Sequence, residues 1–213
     1  MKRWHYFALA AAAVAGGVYL YLQDGAALGN VFTSVVGHAG AMVGGGGGWH
    51  IIQRPGDGFK VDLPGADKYG QAPVYNEMGG TEAVHMLTAS PGGDVTYAVT
   101  WEDNPPVVRV SHSIDRALYM ARDGMLARTE TTIIIESRGF HRGFACLDMQ
   151  ARNNSGGTLD ARLILVDERL YGLIAVFPSA DARREKDIQR FFKSLIPAQP
   201  AGIPENVPAA AQE

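Results

Sequence analysis

The single cysteine, Cys146, lies five residues after His141, and these are the side-chain types of a nucleophile and its base. A nearby imidazole can take the thiol proton and leave a nucleophilic thiolate. Both fall within residues 140–151, which we predict to form one β-strand. Because side chains alternate between the faces of a strand, the odd spacing places the pair on opposite faces unless a β-bulge intervenes. The spacing therefore favours a small core cysteine over a catalytic dyad.

Residues 111–115, Ser-His-Ser-Ile-Asp, bring together the three residue types of a hydrolase triad. Triads are assembled from separated elements, so adjacency in sequence does not indicate one. The chain also has no Gly-x-Ser-x-Gly nucleophile elbow. Ser111 or Ser113 instead suits the position that caps a following helix, and we favour that role.

The histidines carry the ligand type of a metal site, but their spacing does not predict one. None of them has the four-residue spacing of a His-Glu-x-x-His motif. They are His5, His38, His50, His85, His112 and His141. His50 and His85 can meet across two strands, yet a bound metal needs three or four protein ligands. We therefore predict surface or hydrogen-bonded histidines.

Glu102, Asp103 and Asn104 form the most unusual loop, because they follow Trp101 and precede two prolines. Carboxylate and amide oxygens are the ligands that hard cations such as Ca²⁺ prefer. A strand-to-helix turn requires the same residues, since proline ends the strand and Asp and Asn suit turns. We predict the turn and retain the three residues as a candidate cation site.

Composition restricts the class of protein to a globular one that binds no nucleic acid. Of the 213 residues, 46% are hydrophobic and 19% are charged, and the net charge is −3. A nucleic-acid-binding domain carries a basic face, and no cluster of lysine and arginine occurs. One cysteine excludes an internal disulfide and a cysteine-rich zinc site. The glycines 44–48 lack the Lys-Ser/Thr of a phosphate loop, so we predict no cofactor.

The amino terminus has the pattern of an export signal. Lys2 and Arg3 precede an uncharged run over residues 7–22, which is short for a complete membrane span. Residues 1–27 are therefore predicted to be a cleaved signal peptide or an uncleaved, single N-terminal membrane helix. Either alternative places the rest of the chain outside the cytoplasm, in the periplasm, secreted or tethered to the cytoplasmic membrane.

The folded domain is predicted to cover residues 49–196. Residues 28–48 are rich in glycine, whose backbone freedom is typical of a linker. Residues 197–213 are rich in proline and alanine, which predicts a disordered tail.

Short alternating segments separated by turn residues predict an antiparallel sheet. The predicted strands are residues 49–53, 59–63, 74–77, 82–88, 95–102, 131–136, 140–151, 159–166 and 169–177. Residues 169–177 are apolar at both sets of alternate positions, which predicts a central strand covered on both faces.

Two helices are predicted between and after these strands. The first, capped by Ser111 or Ser113, has a buried stripe of Ile114, Leu118, Ala121 and Met125. The second, starting at Pro178 and Ser179, has a buried stripe of Ile188, Phe191, Phe192 and Leu195. The predicted fold class is α+β, a mostly antiparallel sheet flanked by two helices.

Four motifs occur in one order along this domain. They are Phe59-x-Val61-x-Leu63-Pro64-Gly65, Tyr97-x-Val99-x-Trp101-x-Asp103, Arg169-Leu-Tyr171-x-Leu173-x-x-Val176-Phe177-Pro178 and Asp187-Ile188-x-Arg190-Phe191-Phe192-x-Ser194-Leu195. Their order resembles the PsbP-like domains of exported bacterial proteins of unknown function. Those domains share an α/β/α sandwich with the PsbP subunit of photosystem II and with Mog-type Ran-binding proteins. The resemblance covers about residues 49–196 and implies that fold and a non-catalytic exported domain.

These features predict an exported binding or accessory domain of the cell envelope, with an envelope protein or a membrane complex as its partner. The alternative is a periplasmic domain that binds a small molecule or a lipid in a cleft between the sheet and a helix. A hydrolase is less favoured, because the sequence predicts no triad and no complete set of metal ligands.

Overall fold

The computed structural model describes residues 48–75, 81–92 and 95–198. The predicted signal or anchor and nearly all of the predicted linker and tail lie outside these ranges. The end of the predicted strand 74–77 also lies outside them. Within the part of the chain that is described, no helix is long and apolar enough to cross a membrane.

Ten strands and three α-helices make up these described ranges, together with 3-10 turns at Pro55–Asp57 and Ala180–Ala182. The strands are β1 (Trp49–Arg54), β2 (Phe59–Pro64), β3 (Asp67–Tyr75), β4 (Thr81–Gly92), β5 (Val95–Asp103), β6 (Thr131–His141), β7 (Phe144–Asn153), β8 (Thr158–Val166), β9 (Arg169–Phe177) and β10 (Ile196–Pro197). The helices are α1 (Pro106–Val110), α2 (Ile114–Thr129) and α3 (Glu185–Ser194).

The strands form two sheets, and the fold is α+β as the sequence predicts. Seven strands pair in the order β3-β4-β5-β9-β8-β7-β6, and β1, β2 and β10 form a smaller sheet around β2. The strand pairings in these ranges are antiparallel. Strand β9 occupies the middle of the larger sheet, which confirms its predicted central position.

Both faces of β9 are buried, because the larger sheet is covered on both sides. To the core beneath α2, this strand contributes Leu170, Ile174 and Val176. To the core beneath α3 and the small sheet, it contributes Tyr171, Leu173 and Phe177. Gly172 leaves no room for a side chain, since a Cβ at that position would lie 2.6 Å from Oγ1 of Thr100. This layering explains why an apolar sequence on both sets of alternate positions forms a strand here.

The small sheet and α3 form one cover over the second face. Phe59 of β2 packs edge to face on Trp101, with the ring centroids 4.8 Å apart. The backbone N–H of Asp62 donates to Oγ of Ser194 at 3.0 Å, and the Asp62 carboxylate accepts from Arg190 at 2.7 Å. These polar contacts join the end of α3 to β2.

The prediction of one strand over residues 140–151 is wrong, because the chain turns back within it. Strand β6 ends at His141 and β7 begins at Phe144. Arg142 and Gly143 between them have φ values of 51° and 89°, as in a two-residue type I′ hairpin. The two turn residues, Arg-Gly, are not one of the Asn-Gly or Asp-Gly pairs typical of such hairpins, and Phe140 and Phe144 lie close on either side, so the sequence does not reveal the turn.

Strand β3 is longer than the predicted strand at residues 74–77, and begins at Asp67. Lys68, Gly70 and Gln71 interrupt any apolar alternation in this segment. Its pairing with β4 runs from Asp67 to Tyr75, so tertiary pairing specifies a strand that local sequence does not indicate.

The helix starts differ from the prediction in two places. A short helix, α1, begins at Pro106 before the predicted helix, so the fold has three α-helices in its described ranges and not two. Ser113 caps α2, because its Oγ accepts from the backbone N–H of Arg116 at 3.2 Å. Ser179 caps the 3-10 turn Ala180–Ala182, whereas α3 begins only at Glu185.

The buried stripes are correct except at Ile114. Leu118, Ala121 and Met125 of α2 are buried, but Ile114 at its first position is 52% exposed. The predicted stripe of α3, from Ile188 to Leu195, is buried throughout.

We expect truncation to alanine to destabilise the fold at the buried Ile188 and not at the exposed Ile114. Ile188→Ala should lower the free energy of unfolding by about 2–5 kcal/mol, because its side chain is 1% exposed and leaves a cavity. Ile114→Ala should change it by less than about 0.5 kcal/mol, because the side chain faces solvent. Denaturant unfolding of both variants checks this, and equal losses would contradict the described packing of α2.

Candidate functional site

One row of side chains crosses the larger sheet on the face that α3 and the small sheet cover. The register places Gln71 opposite His85, His85 opposite Trp101, and Trp101 opposite Tyr171. Directly opposite residues of antiparallel strands share a face, so these side chains are neighbours. Phe59 packs on Trp101 and Tyr171, whereas Gln71 is exposed. The row therefore passes from the core to solvent at its β3 end.

The exposed end of this row and the side chains beside it form a surface, which we name the Tyr69 surface. It consists of Arg54, Tyr69, Gln71 and His85, which lie next to the buried ring of Trp101. Tyr69 is 45% exposed, and its hydroxyl lies 2.8 Å from Nδ1 of His85. Nε2 of Gln71 donates to that hydroxyl at 2.5 Å. The His85 ring stacks on Trp101, with the centroids 5.3 Å and the planes 13° apart. A half-exposed aromatic ring is thus held by polar contacts at its tip and by stacked rings beside it.

Arg54 supplies the positive charge of the Tyr69 surface. Its guanidinium lies 4.7 Å from the centroid of the Tyr69 ring and 5.7 Å from that of Trp101. Such a cation is attracted by the quadrupole of an aromatic ring. Nε of Arg54 also donates to the carboxylate of Asp57 at 2.6 Å. The end of β1 is therefore bound to the edge of the larger sheet.

Arg169 joins the same region to the turn that follows β1. Its guanidinium donates to both carboxylate oxygens of Asp103, one of them from Nη2 at 2.8 Å, and to the backbone carbonyl of Asp57. The Tyr171 hydroxyl donates to the carbonyl of Gly58 at 3.2 Å. The hydrogen bonds from Arg169 hold the pKa of Asp103 below its ordinary value. Asp103 is therefore an ionised partner of Arg169.

An open cleft of about 360 Å³, which we name the Arg169 cleft, lies beside this ion pair. Asp103, Arg169 and Tyr171 form part of its lining, as do Asp167 and Glu168 in the turn between β8 and β9. The last two residues are exposed. The cleft thus adds two solvent-facing carboxylates beside a guanidinium that already has a carboxylate partner.

The structure separates the three candidate cation ligands. Adjacent residues of β5 point to opposite faces, so the carboxylates of Glu102 and Asp103 lie on different sides of the sheet. Glu102 is buried, and Asp103 is bonded to Arg169. The backbone N–H of Asn104 donates to the carbonyl of Glu168 at 2.7 Å, and α1 follows directly, so the loop is a strand-to-helix turn. Cation binding there stays a prediction, and it requires Asp103 to leave Arg169.

The hairpin after β6 overturns the predicted placement of His141 and Cys146 on opposite faces. Cys146 lies opposite Gly139 on the neighbouring strand, so it shares a face with His141. Both residues are buried, and burial raises the pKa of the Cys146 thiol. Nε2 of His141 lies 2.7 Å from the carbonyl of Leu195, to which it donates. A buried thiol with a raised pKa is a poor nucleophile, so the pair does not form an activated dyad.

The other sequence candidates take part in local structure. Ser113 caps α2, and Ser111 donates to a carbonyl of α1 at 3.3 Å. His50 lies 3.5 Å from Asp67, whereas His85 belongs to the Tyr69 surface, so these two histidines contact different residues. No group of three or more His, Cys, Asp or Glu residues in the described ranges has the arrangement of a metal site.

Sequence reasoning missed Arg54, Tyr69 and Gln71. Tyr69 and Gln71 are two positions apart and share a face, but that signal is visible only once their segment is recognised as a strand. Arg169 occurs in one of the sequence motifs, yet its pairing with Asp103 emerges only from the antiparallel register of β5 and β9.

Comparison with solved structures shows that the chain has a PsbP-like fold. The solution structure of cyanobacterial PsbP (CyanoP) from Synechocystis sp. PCC 6803 matches with a TM-score of 0.51 and 11% sequence identity. That match covers 74% of this chain and 97% of the cyanobacterial one. A protein of unknown function from Pseudomonas aeruginosa matches with a TM-score of 0.41 and 11% identity, over 72% of this chain and 100% of its own.

No protein-family model matches the chain, and no curated protein matches it. The PsbP-like α/β/α arrangement that the four motifs imply is confirmed by the cyanobacterial structure. At this identity the likeness shows the fold alone, so function is argued from the chain's own residues.

The surroundings of His141 predict a pH dependence of the free energy of unfolding. Burial lowers its pKa in the folded state below 6.5, and the nearby guanidinium groups of Arg162 and Arg142 lower it further, against the hydrogen bond to Leu195 and the charge of Asp148. As pH falls through 6.5, the unfolded chain binds a proton that the folded chain does not, so stability decreases.

We expect His141→Gln to remove this contribution while keeping a side-chain N–H donor. The difference in the free energy of unfolding between pH 7.5 and pH 5.5 should be smaller in the variant than in the native chain. Denaturant unfolding at both pH values measures it. An identical pH dependence in the two proteins would rule out the assigned environment of His141.

Proposed function

We propose that this chain is a non-catalytic binding module that contacts its partner through the Tyr69 surface and the adjoining Arg169 cleft. The proposal rests on the Tyr69 ring, which is half exposed and whose hydroxyl is held by hydrogen bonds with His85 and Gln71. Aromatic rings with a polar tip supply a large contact area and little conformational freedom to lose, which is why they are enriched at binding hot spots.

The polar groups around Tyr69 support a protein partner. Arg54 and Arg169 are each bonded to a carboxylate, so both guanidinium groups are held in place before any partner arrives. Exposed Asp167 and Glu168 leave the cleft with negative charge. A segment that combines an apolar or aromatic residue for Tyr69 with a lysine or arginine for the cleft complements this arrangement.

The sequence supports an extracytoplasmic site of action. The basic start and the uncharged run over residues 7–22 suit export or a membrane tether. We therefore propose that the domain acts in the cell envelope, with an envelope protein or a membrane complex as its partner. A PsbP-like fold suits this accessory role by analogy only.

The alternative, a periplasmic domain for a small molecule or lipid, is favoured by the Arg169 cleft itself. Its volume of about 360 Å³ is within the range of small-molecule sites. The cleft is open and carries three carboxylates among its lining residues, so a small polar or cationic molecule suits it better than an acyl chain.

We expect Tyr69→Ala to abolish recovery of the partner. The full chain, tagged at its carboxy terminus, is purified from gently solubilised envelopes, and co-purifying proteins and the intact mass of the chain are recorded. Loss of an aromatic hot spot costs about 2 kcal/mol or more, which weakens binding about thirtyfold. The intact mass also shows whether residues 1–27 are retained.

Tyr119→Ala is the matched control, because Arg122 lies 4.8 Å from the Tyr119 ring much as Arg54 lies over Tyr69. It should leave recovery of a stoichiometric partner unchanged. Equal recovery by Tyr69→Ala and the native chain would refute the proposed contact surface. A chain that is recovered alone, but whose unfolding midpoint rises with a small cationic ligand, would favour the alternative.

A further inference from the structure

Strand β6 forms one edge of the larger sheet. Among the residues described, it pairs only with β7, so alternate backbone N–H and C=O groups on its other side point outward. An edge of this kind is a template for pairing with a further strand. The opposite edge strand, β3, contains Lys68 and Pro73, residue types that protect sheet edges. The sequence of β6, Thr-Thr-Ile-Ile-Ile-Glu-Ser-Arg-Gly-Phe-His, contains neither.

The hairpin turn determines which residues of β6 offer their backbone groups outward. In a two-residue type I′ hairpin the closing pair, here His141 and Phe144, is hydrogen-bonded across the two strands. Hydrogen-bonded and non-hydrogen-bonded pairs then alternate along the ladder, so Ser137 also bonds toward β7. Glu136 and Arg138 therefore direct their backbone N–H and C=O away from the sheet.

Glu136 and Arg138, which carry opposite charges, lie on either side of Ser137 in β6. A two-fold axis at that residue places Glu136 of one copy opposite Arg138 of the other, and the reverse. Within each copy, Arg122 donates to Glu136 at 2.7 Å and Arg138 donates to Asp115 at 3.0 Å. Across the axis these groups alternate in sign, so backbone pairing and ion pairing coincide at the same positions.

Exposed apolar side chains lie on both sides of this charged centre. Ile135 is 62% exposed and Phe140 is 80% exposed. The same axis sets Ile135 against Gly139 of the other copy. Phe140 lies just beyond the paired segment, on the side of the other copy's Ile134 at the bulge in β6. Pairing therefore removes apolar surface from water at each end of the paired segment.

We infer that two copies of this chain pair antiparallel through β6, with the two-fold axis at Ser137, into one continuous sheet of two sets of seven strands. The bulge on one side and the hairpin turn on the other confine the pairing to about residues 135–139. Helix α2 packs on β6, β7 and β8, and within the described ranges no strand pairs with the outer edge of β6. The Tyr69 surface lies at the opposite edge, so the dimer presents two of them at its far ends.

Ser137→Cys in the full chain tests this directly. Opposite cysteines on the two-fold axis occupy a non-hydrogen-bonded pair, whose Cα separation suits a disulfide. Oxidised glutathione should convert the variant to a disulfide-linked dimer of twice the 22.8 kDa chain mass, seen on a non-reducing gel. Thr132→Cys is the matched control, because two such residues lie about 30 Å apart in the dimer. The native chain, whose Cys146 is buried, should not cross-link.

Charge exchange tests the register independently. Arg138→Glu places like charges across the axis and should raise the dimer dissociation constant about tenfold. Adding Glu136→Arg should restore most of the affinity, although it worsens both contacts with α2. Circular dichroism shows whether each variant is folded. If a charge variant is unfolded, the cross-linking of Ser137→Cys alone tests the inference. A monomeric native chain, equal cross-linking by Thr132→Cys, or a doubly exchanged variant weaker than Arg138→Glu would each overturn the inference.

Discussion

The constraint on which this structure depends is that a seven-stranded sheet with two apolar faces must be covered twice. Strand β9 sits at its centre, with Ile174 facing the core under α2 and Phe177 facing the core under α3 and the small sheet. One helix is too narrow to cover the second face, so the chain adds β1, β2 and β10 beside α3. The α/β/α arrangement follows from this need to exclude water from both sides of β9.

The Tyr69 surface arises where that second cover ends. Phe59 shields Trp101, but the side chains farther along the same row, at β4 and β3, emerge into solvent. Arg54 from the small sheet and Arg169 from the larger one each form an ion pair at this boundary, and Asp57 receives hydrogen bonds from both. The contacts that fasten the two sheets together therefore also hold the exposed ring of Tyr69 in place.

Sequence patterns predict those elements whose buried residues recur at the regular spacing of a strand or a helix. The two-faced apolar strand β9 and the stripe from Ile188 to Leu195 are confirmed, because period and burial agree there. The turn at Arg142 is missed because Arg-Gly is not a typical hairpin pair. Strand β3 is missed because its pairing with β4, and not its own sequence, specifies it. Those two errors have functional consequences: the first misplaces Cys146 relative to His141, and the second hides Tyr69. The ion pair of Arg169 with Asp103 depends on strand register, which no local pattern contains.

The most direct test of the account is site-specific photo-cross-linking in intact cells that produce the full chain. A photoreactive phenylalanine analogue replaces Tyr69, and in a second variant it replaces Lys186 on the exposed side of α3. If the partner binds at the Tyr69 surface, illumination should link the Tyr69 position to one discrete envelope protein and leave the Lys186 position without an adduct. Adducts at Lys186 and none at Tyr69 would contradict this binding site, because the partner would then bind away from the Tyr69 surface.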